Sequence, residues 1–256
     1  MRAGARLRRT DVAGKVTWRG QASVSETAAV CLLCGLAALG APQAFAAEES
    51  AGAWGVVSAS GPLGAASSTG RWNLAVDAQA RYFDIGSGAS QWLLRPSIGY
   101  GFANGVELRL GFGRFRARSR SGRVVDENRP WQQIGLRLGS PGGGTLDFRG
   151  RLEQRSIDIS DETNHTFRAM LRYRHIVGSA GTRIEANVEA FLALNDTDWA
   201  GSTGLIQERV YLGASRPISS RARLEIGYLY QVLESEAAPD IGNHLAVVRF
   251  DYRFGD

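Results

Sequence analysis

From Arg71 to the C-terminus, apolar residues recur at every second position and charged residues fill the positions between them. A repeat of two is the side-chain period of a β-strand, not of a helix. In the first segment Trp72, Leu74, Val76, Ala78, Ala80 and Tyr82 alternate with Arg71, Asn73, Asp77, Gln79 and Arg81. The pattern occurs in ten segments, the last setting Ala246, Val248, Phe250, Tyr252 and Phe254 against Arg249, Asp251 and Arg253. Each segment has roughly the 9–11 residues that a tilted strand needs to cross a bilayer. A soluble sandwich also alternates, so the second face decides. Here it carries arginines and carboxylates, while the apolar faces end in aromatics, the arrangement of a membrane barrel turned outward to lipid.

The expected fold is therefore all-β, an antiparallel up-and-down transmembrane barrel of about ten strands, with twelve as the alternative. Short links fall at Phe102–Gly105, Ser140–Thr145, Val177–Gly181 and Arg216–Ser220, and longer ones at Phe115–Asn128, Asp158–Thr166, Asn195–Leu205 and Ser235–Asn243. Outer-membrane barrels have short periplasmic turns and longer outer loops, which sets the orientation and places the segment before Arg71 on the periplasmic side. Trp54–Ser60 reads as an extra short strand or as a piece inside the lumen. Pro96 sits mid-segment, where it lacks a ladder donor, and predicts a bulge or a misplaced boundary.

The N-terminus reads as an address. A basic stretch precedes the uncharged run Thr27–Leu39, then comes the triplet Ala44-Phe45-Ala46. That order predicts a secretory signal peptide over residues 1–46, cleaved after Ala46, an N-terminal segment over 47–70 and a barrel over 71–256. Arg8-Arg9 form a twin arginine, but no apolar run follows closely. Cys31 and Cys34, the two cysteines, lie inside the apolar run, and bulky Leu33 argues against a lipoprotein site. Removing residues 1–46 takes six of the 30 basic and two of the 25 acidic residues, leaving 24 against 23. A nearly neutral mature chain gives no electrostatic reason to expect nucleic acid as a partner.

Several blocks resemble a known family. They are Glu127-x-Arg129-x-Trp131-Gln132-Gln133, Arg149-x-Arg151-Leu152-Glu153-Gln154-Arg155, Glu189-x-Phe191-x-x-x-Asn195-Asp196-Thr197-Asp198-Trp199, Gln207-x-Arg209 and Leu224-Glu225-x-Gly227-Tyr228-Leu229-x-Gln231. In this order they are similar to the proteobacterial barrels of domain of unknown function 2490, over about Arg71 to Phe254. Pro130 departs from the pattern of the first block. The resemblance implies an outer-membrane β-barrel. It carries over no catalytic residue and no cofactor.

Alternation places sixteen arginines on the inner face, against eight acids: Asp77, Glu107, Asp147, Glu153, Glu185, Glu189, Glu225 and Asp251. A luminal charge network is expected from Arg129, Arg149, Arg151, Glu153, Arg155, Arg183, Glu185, Glu189, Arg209, Arg223 and Glu225. Arginine makes bidentate pairs with carboxylates, so such a network can fill a narrow barrel as a polar core. The arginine excess also suits an anion. Outside, Arg114, Arg116, Arg118, Arg120 and Arg123 read as a loop that either contacts lipopolysaccharide phosphates or is simply disordered and solvated. The expected partners are outer-membrane lipids, lipopolysaccharide and the barrel-assembly machinery that reads the last strand.

The leading function is a structural or transport-like, porin-like outer-membrane barrel; a lipid-modifying enzyme acting on acyl chains is the alternative. Only His165, His175 and His244 are present, and no G-x-S-x-G elbow occurs. Their scatter gives no metal-ligand spacing, and the Gly-rich link at Ser140–Gly144 precedes a strand, not a helix, so it reads as a turn.

Overall fold

The computed structural model describes residues 48–235 and 239–255; the signal segment expected over 1–46, and its cleavage site, lie outside them. Eleven strands form one closed barrel. They are β1 (Glu48–Pro62), β2 (Gly70–Asp84), β3 (Ala89–Phe102), β4 (Glu107–Arg118), β5 (Val124–Gly139), β6 (Thr145–Ile157), β7 (Thr163–Val177), β8 (Thr182–Ala193), β9 (Gly204–Pro217), β10 (Ala222–Leu233) and β11 (Ile241–Arg253). Each pairs antiparallel with its sequence neighbours, and β1 closes the ring on β11.

The strand count corrects the expectation of ten or twelve. Trp54–Ser60 is neither a short strand nor a luminal plug, but the middle of a 15-residue wall strand. Gly, Ala and Ser at positions 51–53, 55 and 58–61 weaken the apolar alternation there and hide the strand. An odd count forces first and last strands to run the same way. β1 and β11 are accordingly parallel, in register from Glu48↔Ile241 to Ser60↔Arg253. β1 therefore starts at the end of the barrel opposite to the one where β11 finishes, while residues 63–69, just before Arg71, lie at the end where β11 finishes.

Gly52 makes this closure possible. A Cβ built on it would lie 1.8 Å from the Tyr82 carbonyl oxygen, so no larger residue fits between β2 and the seam.

Connections at the end where β1 begins (the loop end) span 85–88, 119–123, 158–162, 194–203 and 234–240, and those at the turn end 63–69, 103–106, 140–144, 178–181 and 218–221. The expected contrast in length is mostly lost. β4 and β5 run on past the expected boundaries, so Arg114, Arg116 and Arg118 are strand residues and not loop residues.

Pro96 causes no bulge. Pairing of β3 with β4 lapses at Arg95 and Pro96, yet Leu94↔Arg114 and Ser97↔Gly111 keep one register on either side. Pro130 acts the same way between β5 and β6, where Asn128↔Ser156 and Trp131↔Glu153 flank the lapse. Each proline withholds one N–H and the opposite ladder carries the strand through, Pro96 on Val76 and Pro130 on Phe112.

The outer wall is apolar. Trp72, Leu74, Val76, Trp92, Leu94, Leu110, Phe112, Leu212, Ile226 and Val248 are all exposed, in the parity that the alternation assigned to one face. Charged and polar residues are buried inside: Glu153 is 1% exposed and Glu225 0%. This is the inverse of a water-soluble domain, in which ionised carboxylates are almost never fully buried unless paired. No helix among the described residues is long and apolar enough to cross a membrane, which says nothing about strands.

Candidate functional site

The barrel interior is the candidate site, and alternation builds it. In β5 the period of two turns Glu127, Arg129, Trp131 and Gln133 inward; in β6 it turns Arg149, Arg151, Glu153 and Arg155 inward. The two strands pair with Trp131↔Glu153 and Gln133↔Arg151, which brings the two charged rows alongside each other.

Glu153 is the hub. Arg168 Nη1 donates to it at 2.7 Å and Arg129 Nη1 at 3.3 Å, with Arg151 Nη1 3.6 Å away. Arg129 also grips Glu127 through Nε at 2.6 Å and Nη2 at 2.8 Å, and Arg155 Nε reaches the same carboxylate at 2.7 Å. Glu189 on β8 accepts from Arg149 and from Arg168 Nε at 2.9 Å, with Arg209 3.9 Å away. A second centre forms at Glu225 on β10, which accepts from the Tyr211 hydroxyl at 2.6 Å and Arg249 at 3.1 Å, with Arg183 at 3.9 Å.

Two expected members stand apart. Arg223 Nη1 donates to the carbonyl oxygens of Gly181 and Ser215, tying down the turn end instead of meeting a carboxylate. Glu185 is buried and accepts from Asn187 at 3.4 Å. Glu127, which falls in the Phe115–Asn128 link of the sequence pattern, is a β5 residue here and makes a ninth inner-face acid beside the eight expected.

The interior is also not purely polar. Trp54, Val56, Tyr211, Leu229, Leu245 and Val247 from β1, β9, β10 and β11 form a buried apolar wedge. In β11 Leu245 and Val247 are buried toward this wedge, while Ala246 and Val248 stay exposed on the outer face. Other inward aromatics are capped by guanidinium planes. Arg129 lies 4.0 Å from the Phe115 ring, Arg151 4.1 Å from Trp131, Arg168 4.2 Å from Phe191 and Arg81 3.9 Å from Trp54. Arginine suits this setting because its planar cation stacks on a ring while its edge stays free for hydrogen bonds. Gly111 leaves the space for Trp131, since a Cβ there would be 2.1 Å from the indole.

At the loop end the connection 194–203 packs toward β6 and the connection 158–162. Trp199 sits with its ring 5.1 Å from Arg155 and its Nε1 donating to the Glu162 carbonyl oxygen. Asp196 accepts from the Thr203 hydroxyl and amide, and these bonds hold its carboxyl below the usual range.

These geometries bear on the chain's relatives. The family described as "Protein of unknown function (DUF2490)" matches residues 51–241. The chain belongs to this family. The match opens inside β1, twenty residues before the Arg71 start read from the sequence, so the strand hidden by small residues is part of the family's own span. The blocks that carry the resemblance are those that turn Glu127, Arg129, Arg151, Glu153, Glu189, Arg209 and Glu225 inward. An uncharacterized protein of Methylorubrum extorquens is 29% identical over 175 residues, covering 66% of this chain and 77% of that protein.

The Ser160 hydroxyl donates to Asp198, and the His165 backbone N–H donates to Asn195. His244 bridges the outer surface of the seam, with Nδ1 2.5 Å from the Tyr228 hydroxyl and Nε2 2.9 Å from Glu49. No group of three or more His, Cys, Asp or Glu side chains suited to a metal ion occurs among the described residues.

Proposed function

We propose that this chain is an exported outer-membrane β-barrel that acts as a closed, cross-braced structural element of the membrane, not as a general diffusion pore. One observation carries the reading: the apolar side chains stand on the outside of the barrel and the charged ones are buried within it. In water that distribution would expose more apolar wall than a monomer tolerates. In a bilayer it buries the wall in lipid, and closure of the sheet removes the unpaired edge that hydrocarbon forbids. The braced interior supports the closed state, because Glu153 of β6, Glu225 and Gln231 of β10 and Asn243 of β11 are each 2% exposed or less.

The outer face of β4 supports a lipopolysaccharide contact. Leu108, Leu110 and Phe112 lead directly into Arg114, Arg116 and Arg118 on the same face, and Trp92 pairs beside Arg116. Arg114 and Arg116 share the single carboxylate of Asp126, leaving cationic surface for lipid phosphates above the apolar belt. The outward Ala246, Val248, Phe250 and Tyr252 of β11 supply the strand that barrel-assembly machinery would take up.

The test is fractionation followed by planar-bilayer recording. Protein in the outer-membrane fraction that inserts but gives no stable conductance step supports the reading. Protein in the soluble fraction, or steady porin-sized current, contradicts it. Release of fatty acid from phospholipid or lipopolysaccharide by the same sample would favour the acyl-chain enzyme.

A further inference from the structure

We propose that the middle of the barrel holds a specific binding site for a small multivalent oxyanion of the phosphate class. The site is a cavity of about 130 Å³, walled by β1 and β2, β3, β6 to β9, β10 and β11. Seven of its lining residues are arginines, against the two carboxylates Glu185 and Glu189. Most of these arginines reach an acid elsewhere in the network. Arg81 does not: its Nε and Nη2 donate to Gln79 and its Nη1 to Gln91, so the guanidinium meets only side-chain amides. It is 5% exposed, packed on the Trp54 ring. A desolvated cation held by neutral acceptors is costly, and nearby arginines raise the cost.

Two further donors point to the same ligand. Arg149 and Arg172 each have a buried Nε–H without a hydrogen-bond partner, and both line the cavity. They also line a larger cavity of about 490 Å³ that extends to Gly105, Arg137 and Asp147 at the turn end. Arg149, Met170 and Arg172 are thus the shared wall between the vestibule and the centre, and an anion entering from the turn end passes the two arginines. A lipid phosphate is tethered to its acyl chains outside the wall, so a free oxyanion is the form that fits. Guanidinium groups are suited to it because they give paired N–H donors to tetrahedral oxyanions. The proposal depends on the filled interior and not on where the protein resides.

The experiment uses folded, detergent-solubilised protein, with calorimetric titration and thermal melts in inorganic phosphate and in chloride of equal ionic strength. Phosphate should bind and raise Tm, and chloride should not. Arg81→Gln removes the uncompensated charge, and Gln91→Glu supplies it with an internal carboxylate. Both variants should melt no lower than the parent without phosphate, while their phosphate affinity falls at least about tenfold, equivalent to about 1.4 kcal/mol. Absence of phosphate binding by the parent, or parental affinity in either folded variant, overturns the site. If Arg81→Gln does not fold, Gln91→Glu decides alone. These readouts leave the membrane assignment untouched, since fractionation and conductance test that separately.

Discussion

At the scale of single residues, carboxylates and not arginines are the scarce resource of the interior. Glu189 serves Arg149 and Arg168 with Arg209 close by, and it is 7% exposed. Removing it strands several buried cations, so Glu189→Ala should cost about 3–5 kcal/mol in a reversible unfolding assay. Val188, its neighbour on the outer face, should cost far less when cut to Ala, since only a half-buried methyl pair is lost. Equal small losses for the two variants would mean that the interior is hydrated. Tyr211→Phe is a finer probe. It deletes the 2.6 Å hydroxyl bond to fully buried Glu225 and should cost about 1.5–3 kcal/mol, the range for a hydrogen bond to a charged group.

At the scale of elements, the seam strand is where the account is most exposed. β1 joins the ring through parallel pairing to β11 and supplies Trp54 to the inner wedge. Gly52→Val should prevent closure, because the side chain would meet the Tyr82 carbonyl. Loss of the heat-modifiable band on semi-native electrophoresis would report it, and a normal band would show that β1 is dispensable. The loop 194–203 makes a second test. Asp196 is held below the usual carboxylate range in the folded protein, so its contribution is complete above the unfolded value of about 3.9 and is lost as pH falls through the folded value. Trp199 fluorescence should stay constant above that range and change only below it. Ten of the eleven strands were legible because arginine and large apolar residues keep strict parity in them. β1 was not, since Gly52, Ala53 and Gly55 carry almost no polarity signal. The network was legible through its charges, whereas Glu127 was lost to a misplaced loop and the inward Trp54, Leu229, Leu245 and Val247 follow from closure of the sheet, which no local window contains.

At the scale of the whole molecule, eleven strands put the two ends of the barrel sequence on opposite rims, and an apolar wall around a charged core fits a lipid solvent. Residues 48–256 contain no cysteine, so single cysteines can report topology without background. Ser121 lies in the loop-end connection 119–123 and Ser219 in the turn-end connection 218–221. The most direct test of an outer-membrane barrel is labelling of Ser121→Cys and Ser219→Cys by a membrane-impermeant maleimide on intact cells. An outer-membrane barrel should label Ser121→Cys at once, and Ser219→Cys only after the outer membrane is permeabilised. Labelling of both positions, or of neither, in intact cells would contradict it.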